Sequence, residues 1–170
     1  MGADRPGIVA AVTGVLVEQG CNLEDSSMTI LRGHFAMMLV VDTPPGLTPA
    51  DLEAALGRPA AALDLIVTVR PIDEAVVASP EGEAWMVSVY GADRPGIVHG
   101  VASRLADAGV NIVDLTTRVI GDPSQPVYAM LLEVTVPPGV DPDALADELK
   151  ALAAELHVDT SMHRADADIL

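Results

Sequence analysis

Apolar residues recur along this chain with two alternating periods. Ile8, Val12, Val15 and Leu16 fall three or four positions apart, the spacing of one helical face. Pro6 just ahead suits the first helical position, where its missing N–H costs nothing. Gly20 stands where a left-handed C-cap would end such a helix. The same reading holds for Pro95, then Ile97, Val101 and Leu105, then Gly109. After each glycine the pattern changes to a strand pair. The first pair covers about 22–31 and 34–42, around a break at Arg32-Gly33. The second covers about 110–120 and 127–136, around a loop from Gly121 to Pro126.

Thr48-Pro49-Ala50-Asp51 and Asp141-Pro142-Asp143-Ala144 each read as an N-cap with Pro at N1 and an acid in the first turn. Helices are therefore expected near 49–57 and 142–155. A last strand closes each half, Leu63–Ile72 and about His157–His163. Trp85–Tyr90 adds a strand ahead of the second helix, so the second half reads βαββαβ, the ferredoxin-like order. The first half opens at Met1, directly ahead of its helix, and reads as lacking that strand. Such a strand is internal to the sheet, and its loss would leave two rows of backbone groups unpaired. A start several residues upstream is expected in preference to another segment filling the slot.

The two halves are copies. The octapeptide GADRPGIV occupies residues 2–9 and again 91–98, and residues 2–25 match 91–114 at 13 of 24 positions. That is an internal duplication, of units too large for a solenoid repeat. The expected organisation is a first domain over 1–73, a linker over 74–83, a second domain over 84–165 and a tail over 166–170. Ser79-Pro80-Glu81-Gly82 marks the linker.

Composition narrows the function classes. Half of the residues are hydrophobic but only 2% are aromatic, so the core must be aliphatic. The formal charge of -16 repels phosphate backbones and anionic lipid, which argues against direct nucleic-acid binding and membrane attachment. A cationic protein surface or a small zwitterion remains a compatible partner. The single cysteine, Cys21, can form no internal disulfide, which fits a reducing compartment. No apolar run approaches the ~20 residues of a membrane span, and the first residues lack a secretory pattern. The chain reads as cytoplasmic.

The octapeptide is the candidate chemistry. Its glycine lets another group approach the backbone, and the helix N-terminus offers free N–H groups suited to a carboxylate. Asp4 or Asp93 suits an ammonium, and Asn22 or Asn111 can both donate and accept. Together these groups fit the two charges of a free amino acid. The same residues also have a purely structural account, in which Asp caps the helix, Pro and Gly shape the turn and Asn starts the strand. The motif lacks the glycine and lysine pattern of a phosphate loop.

Other residues point to no chemistry. His34, His99, His157 and His163 have no carboxylate or Cys at metal-ligand spacing, and Cys21 has no activating motif. His99 reads as a surface residue. Ser26 and Ser27 read as facing solvent or a partner edge; Met28, Met37 and Met38 as core or interface; Phe35 and Trp85 as core. The acids along 141–155 read as a solvated helix face.

G-x-D-R-P-G-[IL]-V, then a helix, then G-x-N-[IL] resembles the ACT domain, a ferredoxin-like regulatory module. Gly20–Met28, Leu31–Phe35, Met37–Leu39 and Leu63–Val69 resemble the tandem-ACT family of glycine cleavage system transcriptional repressors more closely still. The resemblance implies an α+β protein of two tandem ferredoxin-like ACT domains and no catalytic residues or cofactor. It also implies amino-acid ligands held where two ACT domains meet. The implied ligand-binding residues are Asp4, Arg5, Pro6, Gly7, Ile8 and Asn22, with Asp93, Arg94, Pro95, Gly96, Ile97 and Asn111. Some members carry Asn where this chain has Asp4 and Asp93, and an acid there favours the ligand's ammonium. Val113-Asp114-Leu115 replaces Glu24-Asp25-Ser26, so two sites need not be equivalent. The implied partners are a small amino acid of the glycine or serine class, a transcription factor of glycine cleavage genes, and a second copy in a homodimer. A ligand-free pairing module acting on a metabolic enzyme is the other function expected.

Overall fold

The computed structural model describes residues 1–72, 81–122 and 125–165. Residue 73, residues 74–80 of the expected linker and the expected tail lie outside them. The chain divides into two compact units, Met1–Val77 and Ala78–Leu170.

The first unit runs β1 (Gly2–Ala3), α1 (Ile8–Glu18), β2 (Asn22–Leu31), β3 (His34–Asp42) and α2 (Pro49–Leu63), with an antiparallel sheet in the order β1-β3-β2. The second runs β4 (Glu83–Gly91), α3 (Ile97–Asp107), β5 (Asn111–Asp122), β6 (Gln125–Val136), α4 (Pro142–Leu156) and β7 (Val158–Arg164). Its antiparallel sheet has the order β5-β6-β4-β7. This is the expected βαββαβ arrangement, complete in the second unit.

Local chemistry explains most boundaries. Gly20 and Gly109 hold φ of 72° and 73°, which only glycine adopts without strain. The Gly20 and Cys21 N–H groups donate to the Val17 and Leu16 carbonyls at 3.0 and 2.9 Å, and Gly109 and Val110 repeat the pattern, so both helices end in a Schellman motif. Arg32 and Gly33, at φ of 49° and 80°, make the tight turn between β2 and β3, a backbone twist that suits a two-residue hairpin.

Four expectations need correction. α1 and α3 begin at Ile8 and Ile97, with Gly7 and Gly96 as N-caps, so Pro6 and Pro95 lie in the preceding turn rather than at N1. α2 does not stop at Gly57 but runs through Pro59 to Leu63. Leu52, Leu56 and Ala60 form a buried stripe across the proline, matched by Leu145, Leu149 and Ala153 in α4. Burying that stripe outweighs the backbone bond that Pro59 cannot donate. β5 and β6 extend to Asp122 and from Gln125, taking in most of the expected loop, because each added residue finds a ladder partner.

The fourth correction concerns the first unit's sheet. The slot read as vacant holds β1, whose Gly2 pairs with Phe35 on one side and bridges Leu65 on the other. Leu65–Ile72, expected as a strand, forms no ladder beyond that bridge. Its side chains still alternate: Leu65, Val67 and Val69 pack on the core while Ile66 and Thr68 are exposed. Ile66 exchanges bonds with Met1 at 2.8 and 2.9 Å, and the short β1 pairs no further along the segment, whereas β7 has all of Trp85–Gly91. The cores follow suit. Among the described residues, fifteen buried ones cluster in the second unit and six in the first, so the second is the better packed.

Candidate functional site

The octapeptide loops lie between the first strand and first helix of each unit. In the first, the Asp4 N–H donates to the Gly33 carbonyl at 2.8 Å, which ties the loop to the β2–β3 turn. The chain then turns through Arg5 and Pro6 and enters the helix at Gly7, at φ 95°. Gly96 does the same at φ 99°. A Cβ at either glycine would meet nothing within 4 Å, so backbone conformation rather than crowding requires glycine there.

No side chain caps α1 or α3, and neither first turn carries an acid. The capping account of Asp4 and Asp93 is therefore overturned: both are exposed and leave the helix N–H groups free. The first helical bonds run from Ala11 to Gly7 at 2.9 Å and from Gly100 to Gly96 at 2.8 Å, so the N–H groups ahead of Ala11 and Gly100 point out of the helix end. Asp4, Arg5, Pro6 and Gly7 are exposed, as are Asp93, Arg94, Pro95 and Gly96. Ile8 and Ile97 are 2% exposed and sit in the cores. They offer a site their backbone N–H, not their side chains.

The asparagines lie elsewhere. Gly2 pairs with Phe35 at the loop end of β3, while Asn22 pairs with Asp42 at its far end. Gly91 and Tyr128, then Asn111 and Thr135, repeat this in the second unit. Seven residues of strand separate the two ends, about 24 Å. Within one unit, Asn22 does not join Asp4 around a ligand, and Asn111 does not join Asp93. Each asparagine is followed by a β-bulge, marked by register shifts between Leu23 and Asp25 and between Ile112 and Asp114.

Sequence reasoning missed one residue at the loop end. Tyr128 stands opposite Gly91 and is 8% exposed. Burial raises its hydroxyl pKa, a bond with the Thr117 side chain lowers it by less, and the nearby Asp93 charge raises it further. The duplication offset of 89 aligns Phe35 with Ser124, but the pairing register aligns it with Tyr128. Four residues added in the second hairpin hide the correspondence.

The remaining singled-out residues are structural or solvated. Phe35 is core, Cys21 is half-buried, Met37 packs on the core, and Met28 and Met38 are exposed. Trp85 packs against the second core. Ser26 and Ser27 are exposed, and exposed His99 lies 3.5 Å from the Ser103 hydroxyl. Among the described residues no cluster of His, Cys, Asp or Glu could hold a metal, and no helix is long and apolar enough to cross a membrane. A shallow hollow of about 390 Å³ lies on the second sheet, lined by Met86, Tyr90, Arg118 and Leu131 among others, and none of the loop residues lines it. It faces away from the helices, since Met86 and Tyr90 alternate with the core residues Val87 and Val89.

Comparison with known proteins agrees with this architecture. ACT-domain sequence profiles match residues 1–70 and 85–154. The glycine cleavage system transcriptional repressor of Escherichia coli (strain K12) is 26% identical over 165 residues, covering 96% of this chain and 86% of that protein. Phosphoserine phosphatase SerB2 of Mycobacterium tuberculosis is 33% identical over 170 residues, but the match spans only 38% of its length. A crystal structure of an unknown protein from Galdieria sulphuraria superposes with a TM-score of 0.78 at 30% identity, covering 96% of this chain and 94% of that one. Two matched profiles, one per unit, and a βαββαβ order complete in the second unit establish that the chain belongs to the ACT-domain family, with two such domains in tandem.

Proposed function

We propose that this chain is a non-enzymatic regulatory protein of the cytoplasm that binds a small amino acid of the glycine or serine class and signals to a protein partner. One observation carries the reading. Both units present the same exposed loop, with a carboxylate beside an uncapped helix N-terminus. A free amino acid supplies the complementary pair: an ammonium for Asp4 or Asp93, and a carboxylate for the N–H groups. Asn22 or Asn111 completes a site only from another unit. Ligand binding is thereby coupled to pairing between units, in the chain or across a homodimer. The exposed edge strand β2, whose ten residues are all exposed, is suited to that pairing.

A ligand that needs two units favours the arrangement in which they meet, which is the requirement for a regulatory signal. Similarity to the glycine cleavage repressor supports a transcription factor of glycine cleavage genes as the partner. The charge of -16 supports contact with protein rather than DNA.

The test is a thermal-shift panel of the twenty amino acids. At a ligand concentration 100 times Kd, binding should add roughly 2.7 kcal/mol to the native state. Glycine, serine or a close relative should raise the melting temperature. Asp93→Ala should remove the second loop's share of that shift, and Asn111→Ala the share of whichever loop that asparagine completes, each with little loss of fold. If no amino acid shifts the protein, the ligand-free pairing module replaces this reading.

A further inference from the structure

The two loops are identical over eight residues, so any difference in what they bind must come from side chains around them. The pairing register identifies one such difference. Phe35 and Tyr128 occupy the same place, each opposite the glycine that opens its octapeptide and each almost fully buried, at 4% and 8% exposure. Two pairs further along, on the same face, Met28 stands opposite Met37 where Thr117 stands opposite Met130. The position beside the first loop is thus Phe35 with Met28, wholly apolar. Beside the second it is Tyr128 with Thr117, two hydroxyls in place of two apolar groups.

The first unit shows that the fold does not require this hydroxyl, since Phe35 fills the same position of the same core. Tyr128 pairs with Thr117, and a phenol that both donates and accepts keeps bonding capacity beyond that partner. Tyr128 pairs with Gly91, the residue that opens the second octapeptide, so it stands at the loop end of β6.

We propose that the Tyr128 hydroxyl is a specificity group of the second loop site, hydrogen-bonding a hydroxyl on the ligand's side chain. The second loop then selects a hydroxyl-bearing amino acid, where the first, beside Phe35 and Met28, selects one with a small apolar side chain. The proposal rests on the reading of the loops as amino-acid sites. A site built around a polar group discriminates strongly against a ligand lacking its partner, because that group is left unpaired.

The experiment is calorimetric titration of the full chain with L-serine and L-alanine. It uses an Asp4→Ala background that disables the first loop, with and without Tyr128→Phe. Tyr128→Phe should weaken serine about five- to tenfold and leave alanine within about twofold. Phe35→Tyr, in an Asp93→Ala background, should strengthen serine at the first loop. Equal loss of serine and alanine, or no loss of either, with a normal circular dichroism spectrum, overturns the proposal while leaving amino-acid binding intact. Failure of both ligands to bind the unmutated chain, or full binding by a chain carrying both Asp4→Ala and Asp93→Ala, removes the loop reading and this proposal with it.

Discussion

Thr48 and Asp51 cap α2 by bonding to each other in both directions. The Asp51 N–H donates to Thr48 Oγ1 at 3.2 Å, while Asp51 Oδ2 accepts the Thr48 N–H at 3.2 Å and its hydroxyl at 2.6 Å. The bond from the Thr48 side chain, then that from its backbone, holds the Asp51 carboxyl below its ordinary pKa. Thr48→Ala should cost about 1 kcal/mol in urea unfolding at neutral pH. A carboxyl that titrates lower folded than unfolded stabilises fully above the unfolded value of about 3.9. That contribution is lost as pH falls through the lower folded value. The Thr48→Ala penalty should therefore shrink in acid, and an equal penalty at both pH values would show that the carboxylate is not the partner.

Tyr128 should ionise above the ordinary tyrosine value of about 10, because burial disfavours the phenolate. Its neutral form is favoured by folding, so the linked stability is constant below the unfolded value and lost as pH rises through the folded one. Asp93→Asn should bring the titration back toward the ordinary value by removing a like charge. Tyrosinate absorbance in a Tyr90→Phe background, which leaves Tyr128 as the sole tyrosine, measures this directly. No movement on Asp93→Asn would separate Tyr128 from the loop.

Leu132 and Leu39 occupy equivalent places, opposite Leu115 and Ser26, in sheets of unequal completeness. Leu132 is 0% exposed, with β4 alongside it, whereas Leu39 is half-buried beyond the reach of β1. Leu132→Ala should cost about 2–5 kcal/mol and Leu39→Ala clearly less. Fluorescence of Trp85, the single tryptophan, reports the second unit, and circular dichroism reports both. Equal penalties would mean the first core is as well sealed as the second.

Gly96→Ala should destabilise by about 1–3 kcal/mol through backbone strain alone, since its φ of 99° is unfavourable for alanine and the space around it is open. Gly14→Ala, in the middle of α1 with equally open surroundings, should be neutral or mildly stabilising. Chemical unfolding of the two variants distinguishes conformation from crowding as the reason for glycine in the loop.

The linear order of residues was enough for many features that depend on near neighbours, though not for the starts of α1 and α3 or the end of α2. Gly20 and Gly109 announce their Schellman ends, Thr48 and Asp141 their caps, and Arg32-Gly33 its turn, because each bond closes within a few residues of chain. The octapeptide announces two copies of one loop for the same reason. Pairing across the sheet is another matter. That Leu65–Ile72 has a strand's alternation but almost no ladder depends on how much of β1 lies beside it, more than sixty positions away. That Asn22 lies a strand's length from Asp4 depends on the direction of β3, and the match of Tyr128 to Phe35 depends on a register shifted by four residues. Strand partners are chosen by burial of whole faces rather than by local spacing, so the make-up of the site emerges only when the chain is folded.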